Sequence, residues 1–121
     1  MYLYAMKQWQ VLQTVFPKVI TENFEFTNCE ETPDSINYWL EEREYMSRED
    51  YKKDTVRPYG FTDYKTIQDF PIRGRGVYLH VRRRKWIDRS TGEIFTYEYD
   101  NLTESGSKLT PEFVAFLKEE D

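Results

Sequence analysis

Hydrophobic positions in the opening segment recur at spacings near three and four: Leu3, Met6, Val11, Leu12, Val15 and Phe16, with Trp9 bridging the step from Met6 to Val11. That period predicts an N-terminal helix. Pro17 ends it or bends it into a short second helical turn over PKVITEN. The period then changes to two. In FEFTNCEE, Phe24, Phe26 and Asn28 alternate with Glu25, Thr27 and Cys29, which predicts a strand. Thr32-Pro33-Asp34-Ser35 supplies turn chemistry, and SINYWLEER follows as the second strand of a hairpin.

SREDYKKD has a serine three residues ahead of Asp50, the pattern of a short capped helix or turn. RPYGF reads as punctuation, YKTIQDF as a strand and PIRGRG as a bend. The strongest strand pattern is VYLHVRRRKW. Val77, Leu79 and Val81 face one way; Tyr78, His80, Arg82 and Arg84 face the other. DRSTGE is a hairpin turn with Gly92 at the positive-φ position, and EIFTYEY is the return strand. NLTESGSK is a polar loop. Thr110 caps a last helix, with Pro111 at its first position and Phe113, Phe116 and Leu117 on one face. The expected fold is α+β: an antiparallel sheet of two hairpins, with helices at the N- and C-termini. With 121 residues, one domain is expected over 1–121, a helix and acidic hairpin in 1–63 and a basic hairpin and helix in 64–121.

Composition changes this picture in two places. Aromatic content of 17% makes up for a modest 39% hydrophobic content in filling a core, and leaves rings for a partner. Cys29 is the only cysteine, so it forms no internal disulfide, and a core or half-buried position is expected for it. No apolar run is long enough to span a bilayer, and the first residues lack a signal-peptide pattern. A cytoplasmic protein with no membrane contact is the expectation.

Charge is strongly segregated behind the net value of −5. Residues 1–64 hold 7 basic and 12 acidic side chains, residues 65–89 hold 8 and 2, and residues 90–121 hold 2 and 8. A basic block between acidic flanks sets a local field that the total conceals. On one strand, His80, Arg82 and Arg84 form a row flanked by Tyr78 and Trp86, with Arg73, Arg75, Arg83, Lys85 and Arg89 near in sequence. Guanidinium forks match phosphate oxygens, and an Arg-bearing two-stranded ribbon can enter a DNA groove. The competing reading is self-pairing, in which acidic residues such as Glu93, Glu98, Asp100 and Glu104 face the arginines inside the domain. Both stay open at this level.

Catalytic chemistry finds little support. His80 is the only histidine, and no Ser or Cys stands at a spacing that suggests a nucleophile and base. Gly74 and Gly76 are not followed by the Lys-Ser/Thr of a phosphate loop, and they fit a bend better. The expectation is a non-enzyme with no cofactor, no metal and no small-molecule substrate.

The stretch IQDFPIRGRGVYLHVRRRKWIDRSTGEIF, followed by KLTPEFVAFLKE, resembles the N-terminal region protein of bacterial insertion-sequence transposases of the Aon type. The resemblance covers residues 64–120 and rests on Asp69 to Gly74, the strand Val77 to Trp86, the short hairpin Trp86 to Phe95 and the helix Thr110 to Leu117. It points to the zinc-ribbon head of a larger transposase group, in degenerate form. After Trp86, where that head carries cysteines, this chain has Ile-Asp-Arg-Ser-Thr-Gly-Glu, so no metal is expected there. The resemblance implies an accessory role in DNA transposition of a mobile element. DNA at the transposon ends would be bound by Arg73, Arg75, Arg82, Arg83, Arg84 and Lys85, with His80, Trp86 and Arg89 as further candidates from the strand pattern. The alternative is a protein-interaction or regulatory module whose basic strand docks an acidic partner, such as the transposase catalytic subunit.

Overall fold

A computed structural model describes Phe16, residues 18–99 and residues 111–118. The helix expected over Leu3–Phe16 (Phe16 itself excepted), the loop NLTESGSK and the Thr110 cap lie outside the described residues. In chain order the elements are α1 (Lys18–Asn23), β1 (Phe24–Glu31), β2 (Ser35–Glu42), α2 (Arg48–Lys53), β3 (Val56–Phe61), β4 (Lys65–Ile72), β5 (Arg75–Arg82), β6 (Arg84–Asp88), β7 (Glu93–Phe95) and α3 (Pro111–Leu117). The fold is α+β.

The strands form two sheets, one ordered β1-β2-β5-β4 and the other β3-β6-β7. β1–β2 is the antiparallel hairpin that the alternation predicts, and β4–β5 is a second antiparallel pair, closed at the PIRGRG bend. Their turns have local causes. The Thr32 hydroxyl accepts from the backbone N–H of Ser35 at 2.9 Å and closes the first. Arg73 and Gly74, at φ 50° and 78°, make the second, and Gly74 bears the left-handed conformation without a Cβ penalty. The two hairpins join through a parallel β2–β5 pairing, which the pattern of hairpins did not foretell. A parallel neighbour needs a long crossover, and α2, β3 and β4 supply it.

Alternation sorts the four-stranded sheet into a core face and an open face. Ile36, Tyr38 and Leu40, with Val77, Leu79, Val81 and Ile67, are buried under Phe16, Ile20 of α1, and Phe113, Phe116 and Leu117 of α3. In β1 the alternation slips at a bulge between Phe26 and Asn28. Cys29 therefore packs on the core beside Phe26, and the exposed Asn28 leaves the side the sequence pattern assigned to it.

Three expectations need correction. VYLHVRRRKW is not one strand: it breaks at Arg83, and β5 and β6 belong to different sheets. β5 pairs with β4 and β2, so the long hairpin with EIFTYEY shrinks to a short β6–β7 pair, Trp86↔Phe95 to Asp88↔Glu93. RPYGF lies within an edge strand, β3, which tolerates Pro58 because alternate N–H groups of an edge strand point away from the sheet and have no strand partner to lose. The smaller hairpin does turn at Gly92, with φ 75°, and its N–H donates to the Asp88 carbonyl at 2.7 Å. Trp86, Phe95 and Tyr97 pack along it.

Candidate functional site

The basic strand is the natural place to look, and its break explains what became of its charges. At Arg83 the backbone leaves one sheet before joining the other, so its polar groups need partners from elsewhere. Thr62 provides them: its N–H donates to the Arg83 carbonyl at 2.8 Å, and its hydroxyl accepts from the Arg83 N–H at 3.0 Å. The next N–H, of Arg84, donates to the Glu42 carboxylate at 2.8 Å. The inward parity of Val77, Leu79 and Val81 continues through Arg83, then slips by one so that Trp86 and Asp88 are the next buried residues.

Arg83 consequently points inward and is only 2% exposed. It donates to the Tyr97 carbonyl, and its guanidinium lies 5.9 Å from the Tyr99 ring centroid and 6.0 Å from that of Phe116. Glu42 is buried beside it and accepts from the Tyr99 hydroxyl. Burial pushes the Glu42 carboxyl above its ordinary range, against the pull of the Tyr99 and Arg84 hydrogen bonds and of the two guanidinium charges. Burial, followed by the Glu42 charge, likewise pushes the Tyr99 phenol upward. This cluster ties β2, the β5–β6 break and α3 together.

On the open face, parallel pairing sets Glu41 beside Arg82. The two form an ion pair, and the Arg82 guanidinium lies between the rings of Phe61 (4.1 Å) and Tyr64 (4.7 Å). Arg84 pairs with Glu44 at 3.7 Å and also lies over the Phe61 ring, 4.4 Å from its centroid. His80 stacks on Trp39 with ring centroids 4.5 Å apart. Its Nε2 lies 2.9 Å from the Asn37 amide oxygen and its Nδ1 2.8 Å from the Thr66 hydroxyl. The amide oxygen only accepts, so Nε2 carries a hydrogen. Both ring nitrogens are thus engaged within the sheet face.

The nine candidate residues therefore part company. Arg82 and Arg84 share a neighbourhood around Phe61; Arg83 and the 1%-exposed Trp86 are interior. The expected row ending in Trp86 does not exist, because the parity slip turns Trp86 into the core of the small sheet. Arg75 pairs with Glu31 at 3.7 Å. Arg73 and Arg89 stand exposed in the β4–β5 and β6–β7 turns, and Lys85 is half-buried. The residues that sequence reasoning missed are Glu41, Glu42, Glu44, Phe61, Tyr64 and Tyr99. A signal for the acids was present: LEERE and VRRRK each follow an aliphatic strand, and they match only when the strands run parallel.

Among the described residues, no group of three or more His, Cys, Asp or Glu side chains is placed to hold a metal ion, and no helix is long and apolar enough to cross a membrane. Burial, then the charges of Glu31 and Glu30, raises the Cys29 thiol, which disfavours the reactive thiolate. No family model, no curated protein and no solved structure matches the chain.

Proposed function

We propose that this protein is a non-catalytic interaction module that binds another protein through exposed aromatic side chains. The observation that carries the reading is the exposure of Tyr45, Tyr51 and Tyr59, at 64%, 76% and 51%, along a short segment in which α2 packs on β3. Folding gains nothing by exposing large rings, whereas interfaces are enriched in tyrosine and use it as an anchor. The strand that would have captured DNA phosphates is meanwhile engaged by Glu41, Glu42 and Glu44. The sequence resemblance supplies the setting: an accessory of an insertion-sequence transposase, with the catalytic chain as partner.

Co-expression with such a catalytic chain tests this. The complex is expected to survive raised salt and to be lost in a folded Tyr51→Ser, Tyr59→Ser variant. Retention of the complex in that variant would sink the aromatic anchor.

A second reading keeps DNA at the transposon ends as the partner. It rests on Arg73 and Arg89, which stand at hairpin turns with no ion pair among the described residues. Fluorescence anisotropy with a labelled duplex separates the two. Phosphate capture weakens steeply as salt rises, by roughly 10³-fold or more between low and moderate salt when many phosphates are contacted. Steep binding that is lost in an Arg73→Ala, Arg89→Ala variant would favour DNA.

A further inference from the structure

The four-stranded sheet ends at β1 and β4, and the three-stranded sheet at β3 and β7. An edge strand offers unpaired N–H and C=O groups to any extended chain, and proteins commonly guard such edges. Three of these four edges are guarded. β1 carries the exposed Glu25, Glu30 and Glu31 and is broken by its bulge. β3 contains Pro58 and a register shift before Phe61, and β7 has only three residues. β4 differs. Its own register shift and Pro71 come only at its far end, between Asp69 and Ile72; from Lys65 to Asp69 the register is regular, and among the described residues no strand pairs with its outer side.

The sequence along this edge is a palindrome in chemistry. About Ile67, the run YKTIQDF reads aromatic, basic, polar, aliphatic, polar, acidic, aromatic. We infer that the β4 edge pairs with β4 of a second copy of this chain, antiparallel, about a two-fold axis at Ile67. An isologous contact requires a patch complementary to itself, and this register provides one. Lys65 faces the second copy's Asp69, Thr66 faces its Gln68, and Tyr64 faces its Phe70. Tyr64 and Phe70 are 42% and 58% exposed, and Tyr64 also meets the Arg82 guanidinium at 4.7 Å within its own chain. Directly opposed side chains on one face of an antiparallel pair interact, and aromatic and opposite-charge pairs are among the favourable ones.

Neighbouring registers that keep the core faces aligned are worse. Moving the axis to Thr66 sets Asp63 opposite Asp69 twice, a like-charge clash. Moving it to Gln68 sets Pro71, which has no N–H, opposite Lys65. The preferred register joins two four-stranded sheets into one of eight strands. It leaves Tyr45, Tyr51 and Tyr59 uninvolved, so this inference stands apart from the partner reading and fails or holds independently of it.

Sedimentation equilibrium over a wide concentration range tests it. The expected result is reversible association to twice the 14.8 kDa chain mass. Lys65→Glu, which opposes Asp69 with a like charge, is expected to weaken association about tenfold or more, with an unchanged circular dichroism spectrum. Combining it with Asp69→Lys restores opposite charges and is expected to recover association. Register is read by cysteine pairing in a Cys29→Ser background. A Thr66→Cys chain mixed with a Gln68→Cys chain is expected to give the mixed disulfide in preference to either homodimer. A monomer mass at every concentration would overturn the inference, and so would a dimer indifferent to Lys65→Glu or a preferred Gln68→Cys homodimer.

Discussion

Two sets of arginines lie within seventeen residues of one another and have opposite fates. Arg82, Arg83 and Arg84 follow an aliphatic strand, and the fold absorbs them: one into a ring sandwich with Glu41, one into the interior, one onto Glu44 and Phe61. Arg73 and Arg89 sit in turns and remain exposed. In sequence the first set is the more conspicuous, since three consecutive guanidinium groups look like a phosphate clamp. In three dimensions it is the less available. Charge density along a chain measures the field only where the neighbours across the sheet carry no opposite charge, and here β2 carries Glu41 and Glu42.

Substitutions should separate the two sets by size of effect. Arg83→Ala removes a buried side chain and leaves the Tyr97 carbonyl without its donor, and is expected to cost about 3 kcal/mol in urea unfolding. A cost under about 0.5 kcal/mol would mean that Arg83 is not part of the interior. Glu42→Gln probes the same cluster through pH. Because burial raises the Glu42 carboxyl, folding favours its protonated form. That contribution is present below the ordinary carboxylate range and lost as pH rises through the raised value. The stability of the wild type relative to Glu42→Gln is therefore expected to fall from pH 4 to pH 7 in paired unfolding curves. A rise over that range would reverse the assigned direction. Arg73→Ala and Arg89→Ala are expected to change stability by less than about 0.5 kcal/mol, as exposed positions outside any network do. A larger loss in thermal or urea unfolding would place them with the other set.

Much of the fold was legible. The β1–β2 hairpin, the turn at Gly92, Ser47 accepting from the Asp50 N–H at the start of α2 and the buried face of α3 all follow from local chemistry within a few residues. What was not legible depends on distant partners. The break at Arg83 is held by Thr62 and Glu42, 21 and 42 positions from the groups they bind, and a run of like charges carries no mark of parity. The return strand ends at Phe95 where alternation alone would have continued it. Beyond that point the Tyr97 hydroxyl engages Asp50 and Ser47 of α2's N-terminus, and the Tyr99 hydroxyl engages Glu42. Of the candidate site, the residue types were readable but their availability was not. The two readings of the basic block differ only in what lies on the neighbouring strand, and the parallel β2–β5 pairing that decides it joins segments some forty residues apart.

The central claim is that the arginines of the basic strand are engaged by the fold's own carboxylates. A double-mutant cycle on Glu41 and Arg82 tests it most directly, with Glu41→Ala, Arg82→Ala and both together compared by urea unfolding. For a partly buried pair held between two rings, a favourable coupling of about 1 kcal/mol is expected. Coupling indistinguishable from zero would contradict the claim and return Arg82 to the set of arginines free to meet a phosphate.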